Sequence, residues 1–236
     1  MTTAFQTDKV IVVHAHVILT ETFGALGNFG PEMGEQDGDA PWFRVGDYRL
    51  DGVRYQGSAF MDTELRLARM DAAGIEAQLL SPNPLTFLHF IGAAQADSFC
   101  RTHNDALAAL IKRYPGRLAA TAALPIQDPT RAVVELERAV TELGFLGGYI
   151  GTDFPHKLDD PSMDQLFEAC VRLNVPLFLH PSPAGIDGPK GDPNLKDFDL
   201  DVVIGFAAQE TLAVARLIYG GVMDRHPDLD VCLSHG

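Results

Sequence analysis

The sequence predicts an α/β protein, a (β/α)8 TIM-type barrel, and three observations carry that reading. Short β-branched runs alternate with longer segments whose apolar residues recur at helical spacing. The helical segments end at glycine or proline, where a helix stops cheaply. The 236 residues suit one such barrel, which typically runs to about 250 residues. Repeated βα units imply parallel strands covered by helices.

The elements follow in order. Residues 9–13 (KVIVV) read as a buried strand leading straight into His14-Ala15-His16. A long irregular stretch, 20–58, is rich in Gly, Asp and aromatics, among them Trp42, Phe43, Tyr48 and Tyr55. A connection that long inside a compact domain calls for a functional explanation, and its aromatics predict a packed lid over a pocket. Residues 62–73 then form a helix ended by Gly74, and 76–80 a strand. A long helix over 94–114 stops at Pro115-Gly116, followed by a strand at 118–123. Next come a helix at 129–143, a short strand at 147–151, and a helix at 162–173 with Met163, Leu166, Phe167 and Cys170 on one face. A strand at 176–179 ends at His180, a Gly/Pro/Asp-rich loop spans 182–201, and a helix covers 209–219. The last strand, 229–233, runs into Ser234-His235. No repeat or interdomain linker interrupts the series, so residues 1–236 read as a single domain.

Composition narrows the function. Eighteen basic against 32 acidic residues give 18 − 32 = −14, which disfavours nucleic acid or an anionic membrane as partner. No uninterrupted apolar run approaches the roughly 18 residues of a membrane helix, and the N-terminus carries no apolar signal region. Cys100, Cys170 and Cys232 are odd in number and widely spaced, the usage of reduced core residues in a cytoplasmic protein.

The histidines carry the chemistry. His14 and His16 are two apart at a strand end, so both imidazoles point to one face. His180 and His235 end two further strands, and barrel enzymes place reactive groups at the C-terminal ends of strands. A single histidine after a strand is commonly a core or loop residue; four at three strand ends predict one metal site. Imidazole donors suit a divalent ion, zinc first, with manganese or iron as alternatives. His103 falls in a helix and His156 and His226 in polar connections, so none is expected in the site. His89, in Phe87-Leu88-His89-Phe90 after the second strand, is expected to line the pocket.

These motifs resemble the amidohydrolase-related decarboxylases, the family of aminocarboxymuconate-semialdehyde decarboxylase and aromatic-acid decarboxylases within the metal-dependent hydrolase superfamily. The likeness runs the length of the chain: VHAHV, ARMDAAGIEAQLLS, YPGRLAATAALPIQDP, GGYIGTDF, KLDDPSMDQLFEACVRLNVPLFLHP, and QETLAVARLIYGGVMDRHPDLDVCLSHG. It implies that His14, His16 and His180 are metal ligands and that His235 is the catalytic proton carrier or activates bound water. Ala40-Pro41-Trp42 and Arg54 resemble the semialdehyde enzyme in particular, so Arg54 is expected to grip a substrate carboxylate. Trp42, Phe43 and Phe87 are expected to wall the pocket. The family carries an acidic residue two positions before the first histidine, where this chain has Val12. It also takes an aspartate ligand from its last barrel strand, so the C-terminal two βα units of the barrel are read as absent from this chain.

The expected activity is therefore non-oxidative decarboxylation of a small aromatic or unsaturated carboxylic acid by a cytoplasmic enzyme, a homodimer by family resemblance. The alternative on the same scaffold is a hydrolase or hydratase using a metal-bound water on a lactone, amide or double bond. A third reading is a non-enzymatic metal-binding scaffold. Residues alone do not separate these three.

Overall fold

A computed structural model describes residues 9–35, 40–182, 193–195 and 197–235. Most of the loop expected at 182–201, and residues 36–39 of the expected lid, lie outside the described residues.

The predicted strands form in the predicted order. They are β1 (Val10–Val17), β5 (Ile75–Pro82), β6 (Leu118–Ala120) with β7 (Ala122–Ala123), β8 (Gly148–Gly151), β9 (Leu177–His180) and β10 (Val231–Leu233). β6 and β7 are two halves of one strand divided at Thr121, whose N–H still bonds to Leu80 O at 2.9 Å. Every pairing among these strands is parallel, in the order β1-β5-β6 and β7-β8-β9-β10. Together they are consecutive staves of a (β/α) barrel. The sheet is strongly curled, because the imidazole centroids of His14 in β1 and His235 just after β10 lie 4.8 Å apart.

Helices α1 (Thr63–Ala72), α2 (Ala93–Lys112), α3 (Pro129–Thr141), α4 (Asp164–Leu173) and α5 (Phe206–Tyr219) are each within three residues of their expected bounds. Local chemistry explains the starts: the Asp62 carboxylate accepts from Leu65 N, and that of Asp128 from Thr130 N and Arg131 N. A short helix, α6 (Val222–Arg225), was not anticipated. The 19 residues Asp201–Tyr219 are long and apolar enough, by composition, to cross a membrane. Within the fold they form a π-helical turn and α5, which turns Glu210, Ala213 and Leu217 into the interior.

The region expected to be irregular is partly ordered as a sheet. β2 (Glu32–Gly34), β3 (Trp42–Val45) and β4 (Tyr48–Asp51) form an antiparallel meander. Their three- and four-residue length and Gly/Asp content hid them from a periodicity reading. Phe43, Val45 and Tyr55 from this region pack with Leu85, Leu88, Ile91 and Phe99 in a core of their own.

Side-chain alternation separates the faces of the parallel sheet. Leu80, Ile150, Leu177 and Leu179 belong to the main core under the helices. Leu79, Tyr149 and Phe178, one residue out of phase, cluster on the inner face. That parity sets the position of the histidines: His180 follows Phe178 by two residues, and His14 and His16 alternate with Ala15 and Val17, which pack in the main core.

Candidate metal centre

β1 ends on two inward histidines, β9 on one, and the turn after β10 on a fourth. Nitrogens of His14, His16 and His180 all lie within 4.8 Å of one another. The Nε2 atoms of His14 and His16 are 2.9 Å apart. His235 stands beside them, its ring 4.8 Å from that of His14 and 4.7 Å from that of His180.

The outer nitrogens fix the tautomers. His16 Nδ1 is 3.0 Å from Pro82 O, and His180 Nδ1 is 2.7 Å from Pro181 O. A carbonyl only accepts, so each Nδ1–H donates and each Nε2 keeps its lone pair. This is the orientation in which backbone carbonyls hold metal-ligating imidazoles. Arg66 on α1 steadies the same strand end, donating from Nη2 to His16 O at 2.5 Å and from Nη1 to Gln78 Oε1 at 2.8 Å.

The electrostatics keep the rings neutral. Burial, with His14 next to it, pushes the His16 imidazole down to about 3. Burial and His16 push His180 down to about 2. His14 is lowered by burial and then by His235, against smaller opposing effects of the Ser234 backbone and Glu210. Neutral imidazoles with converging lone pairs are what a divalent cation requires, and a metal fits this donor set.

The cluster opens into a pocket of about 420 Å³, within the range of small-molecule sites. Its walls include Tyr48 and Leu50 from β4, Tyr55, Phe60, Asn83, Asp201 and Phe206. Burial raises the Tyr55 phenol, against a smaller lowering effect of the Asn83 side chain. Burial and the Asp201 carboxylate raise Tyr48. The meander thus reaches the pocket through β4.

The other residues expected at the pocket are not among those that line it. Arg54 is largely exposed and forks onto the Glu35 carboxylate, with Nη1–Oε2 at 2.7 Å and Nη2–Oε1 at 2.5 Å. Trp42 shares a separate small cleft with Arg54, and Arg49 lies over its ring at 4.8 Å. Phe43 is fully buried in the core beneath the meander. Phe87 and His89 stack on each other at 5.3 Å, and the Phe87 ring stands 6.2 Å from that of His180 without lining the pocket. His89 Nδ1 donates to Asp153 O, and burial pushes its ring down to about 4. The physical reasons are plain: Arg54 has a nearer carboxylate at the surface, Phe43 shares the face of the meander that carries Tyr48 and Leu50 but is fully buried in the core, and His89 is used to hold a loop.

One residue near the centre escaped the sequence reading. Glu210 of α5 is buried, and its Oε1 accepts from Ser234 N and His235 N, both at 3.1 Å. It reads as one acid in a helix. The signal available was its phase: Glu210, Ala213 and Leu217 fall at i, i+3 and i+7, and all three are buried.

Comparison with known proteins places this geometry in context. Residues 11–236 match the family model described as Amidohydrolase. The chain is 31% identical over 176 residues to 2-amino-3-carboxymuconate-6-semialdehyde decarboxylase of Dictyostelium discoideum, covering 74% of this chain and 48% of that protein. It is 34% identical over 207 residues to gamma-resorcylate decarboxylase of Rhizobium radiobacter, covering 84% and 61%. The chain therefore spans about half to three fifths of the length of these relatives. Among solved structures, a dihydroxybenzoic acid decarboxylase from Polaromonas sp. JS666, with bound manganese and the inhibitor 2-nitroresorcinol, superposes with a TM-score of 0.70 at 25% identity. That match covers 95% of this chain and 64% of the other.

Proposed function

The chain belongs to the amidohydrolase family, and on that premise we propose that it acts as a metal-dependent, non-oxidative decarboxylase of a small aromatic carboxylic acid. The observation that carries the reading is the convergence of His14, His16 and His180, with His235 beside them, at the floor of an apolar-walled pocket. Relatives named as decarboxylases of resorcylate and carboxymuconate semialdehyde support it.

In this reading His14, His16 and His180 hold one divalent ion, zinc by its imidazole donors or manganese as in the Polaromonas enzyme. When bound, such an ion stabilises negative charge on substrate oxygens as a Lewis acid. Tyr48, Leu50, Tyr55 and Phe60 position an aromatic ring and exclude water. The carbon–carboxylate bond breaks, its electron pair remains on the ring carbon, and His235 moves a proton to that carbon. Residues 9–235 work as one domain with the meander as lid. The unpaired Cys100, Cys170 and Cys232 fit the cytoplasm, and a homodimer is the assembly that the family resemblance implies.

The test is product analysis on metal-loaded protein with a panel of hydroxybenzoates and muconate-type acids. Release of carbon dioxide, with turnover reduced at least about 100-fold in His235→Asn, supports the proposal. Water addition or lactone opening without carbon dioxide supports the hydratase or hydrolase alternative and overturns it.

A further inference from the structure

We propose that Glu210 is a positioning residue for His235, holding the imidazole with Nδ1–H toward the carboxylate and Nε2 toward the histidine cluster. The kinetic consequence rests on the proposed decarboxylase reading; the geometry does not.

Glu210 is only 3% exposed, and a carboxylate is costly to bury without partners. Its Oε1 gathers the backbone N–H groups of Ser234 and His235, each at 3.1 Å, and lies 3.4 Å from His235 Nδ1. Its Oε2 is buried and, among the described residues, has no hydrogen-bond partner. Three polar groups of one turn thus face a single carboxylate delivered by α5. β10 ends at Leu233, and among the described residues no strand pairing includes His235. Ser234 is tied to Leu179 O by its N–H at 3.1 Å and its Oγ at 2.9 Å, which leaves Glu210 to orient the next residue.

A carboxylate only accepts, so facing Nδ1 it selects the Nδ1–H tautomer. The free Nε2 is then the atom presented to His14 and His180, whose rings stand 4.8 and 4.7 Å away.

The experiment is 15N NMR of the histidine-labelled full chain, with His235 assigned by its loss in His235→Asn, together with steady-state kinetics. Glu210→Ala removes the acceptor; Glu210→Gln keeps an acceptor oxygen at the place of Oε1 and serves as the second variant. The expected result is a single Nδ1–H tautomer in the unsubstituted chain and in Glu210→Gln, and a mixture in Glu210→Ala. With it, kcat of Glu210→Ala falls about 10- to 100-fold while KM stays within about twofold, and Glu210→Gln recovers part of the loss. If Glu210→Ala keeps the single tautomer, the assignment is overturned, whether or not its thermal midpoint falls, because the carboxylate is then a structural anchor. If the unsubstituted chain releases no carbon dioxide, the functional reading fails and the tautomer result alone decides the role of Glu210.

Discussion

His103 lies on the buried face of α2, beside Phe99, and neither ring nitrogen makes a well-formed hydrogen bond among the described residues. Burial pushes its imidazole down to about 4, against a smaller favourable effect of Asn104. The sign of the linkage follows. The unfolded chain takes up a proton near pH 6.5 that the folded chain refuses, so this group's stability is complete above that pH and is lost as pH falls toward 4. Each such histidine contributes a slope approaching about 1.4 kcal/mol per pH unit. His103→Leu should therefore gain stability relative to the unsubstituted chain as pH drops from 7.5 to 5, read from urea midpoints; parallel profiles would refute this. At the same scale, His14, His16 and His180 were legible because strand alternation and strand ends are short-range properties of sequence. The position of Arg54 was not legible, because its choice of Glu35 over the pocket depends on a three-dimensional approach across 19 residues. Glu210 was legible only as a phase in a helix, and its target, the 234–235 turn, is distant in sequence.

Between elements, Asn104 joins α2 to the sheet. Its Oδ1 accepts from Ala123 N and its Nδ2 donates to Ala123 O, both at 2.9 Å, and to Glu135 Oε1 at 2.7 Å. Glu135, fully buried on α3, is forked by Arg138 at 2.8 and 2.9 Å. The network locks β7 between two helices where the strand is shortest. Replacing Asn104 with Ala strands buried donors and acceptors, each worth about 1–3 kcal/mol. A loss of about 3 kcal/mol in urea unfolding is expected, and a loss below about 1 kcal/mol would show that water or neighbouring groups replace the bonds. Such contacts leave no periodic trace, since Asn104 reads as an ordinary helix residue. The parallel strands, in contrast, are continuous apolar runs, and the helices stop at Gly74 and at Pro115-Gly116, so both were visible beforehand. The meander was missed for the opposite reason: Glu32–Gly34 and Tyr48–Asp51 are too short and polar for alternation to register.

Across the whole molecule, the curl of the parallel sheet is what makes one site from distant residues. His14 and His180 are 166 positions apart, yet their rings stand at 5.3 Å because β1 and β9 bend toward a common axis. The outer edge of β1 carries half-exposed Val10 and Val13, and α5 presents Leu212, Ile218 and Tyr219 outward. The acidic balance of the chain, −14, coexists with a pocket whose floor is four histidines, so bulk charge and site charge are separate quantities. The fold brings three histidines together, and their proposed role is to hold one divalent ion. The most direct measurement is metal content by mass spectrometry after chelation, reloading with zinc or manganese, and desalting. The folded chain should retain about one ion, His16→Ala and His180→Ala should each retain less than about a tenth of that, and His235→Asn should retain it. A well-folded chain that retains no ion, or an ion kept equally by His16→Ala and His180→Ala, would contradict the assignment.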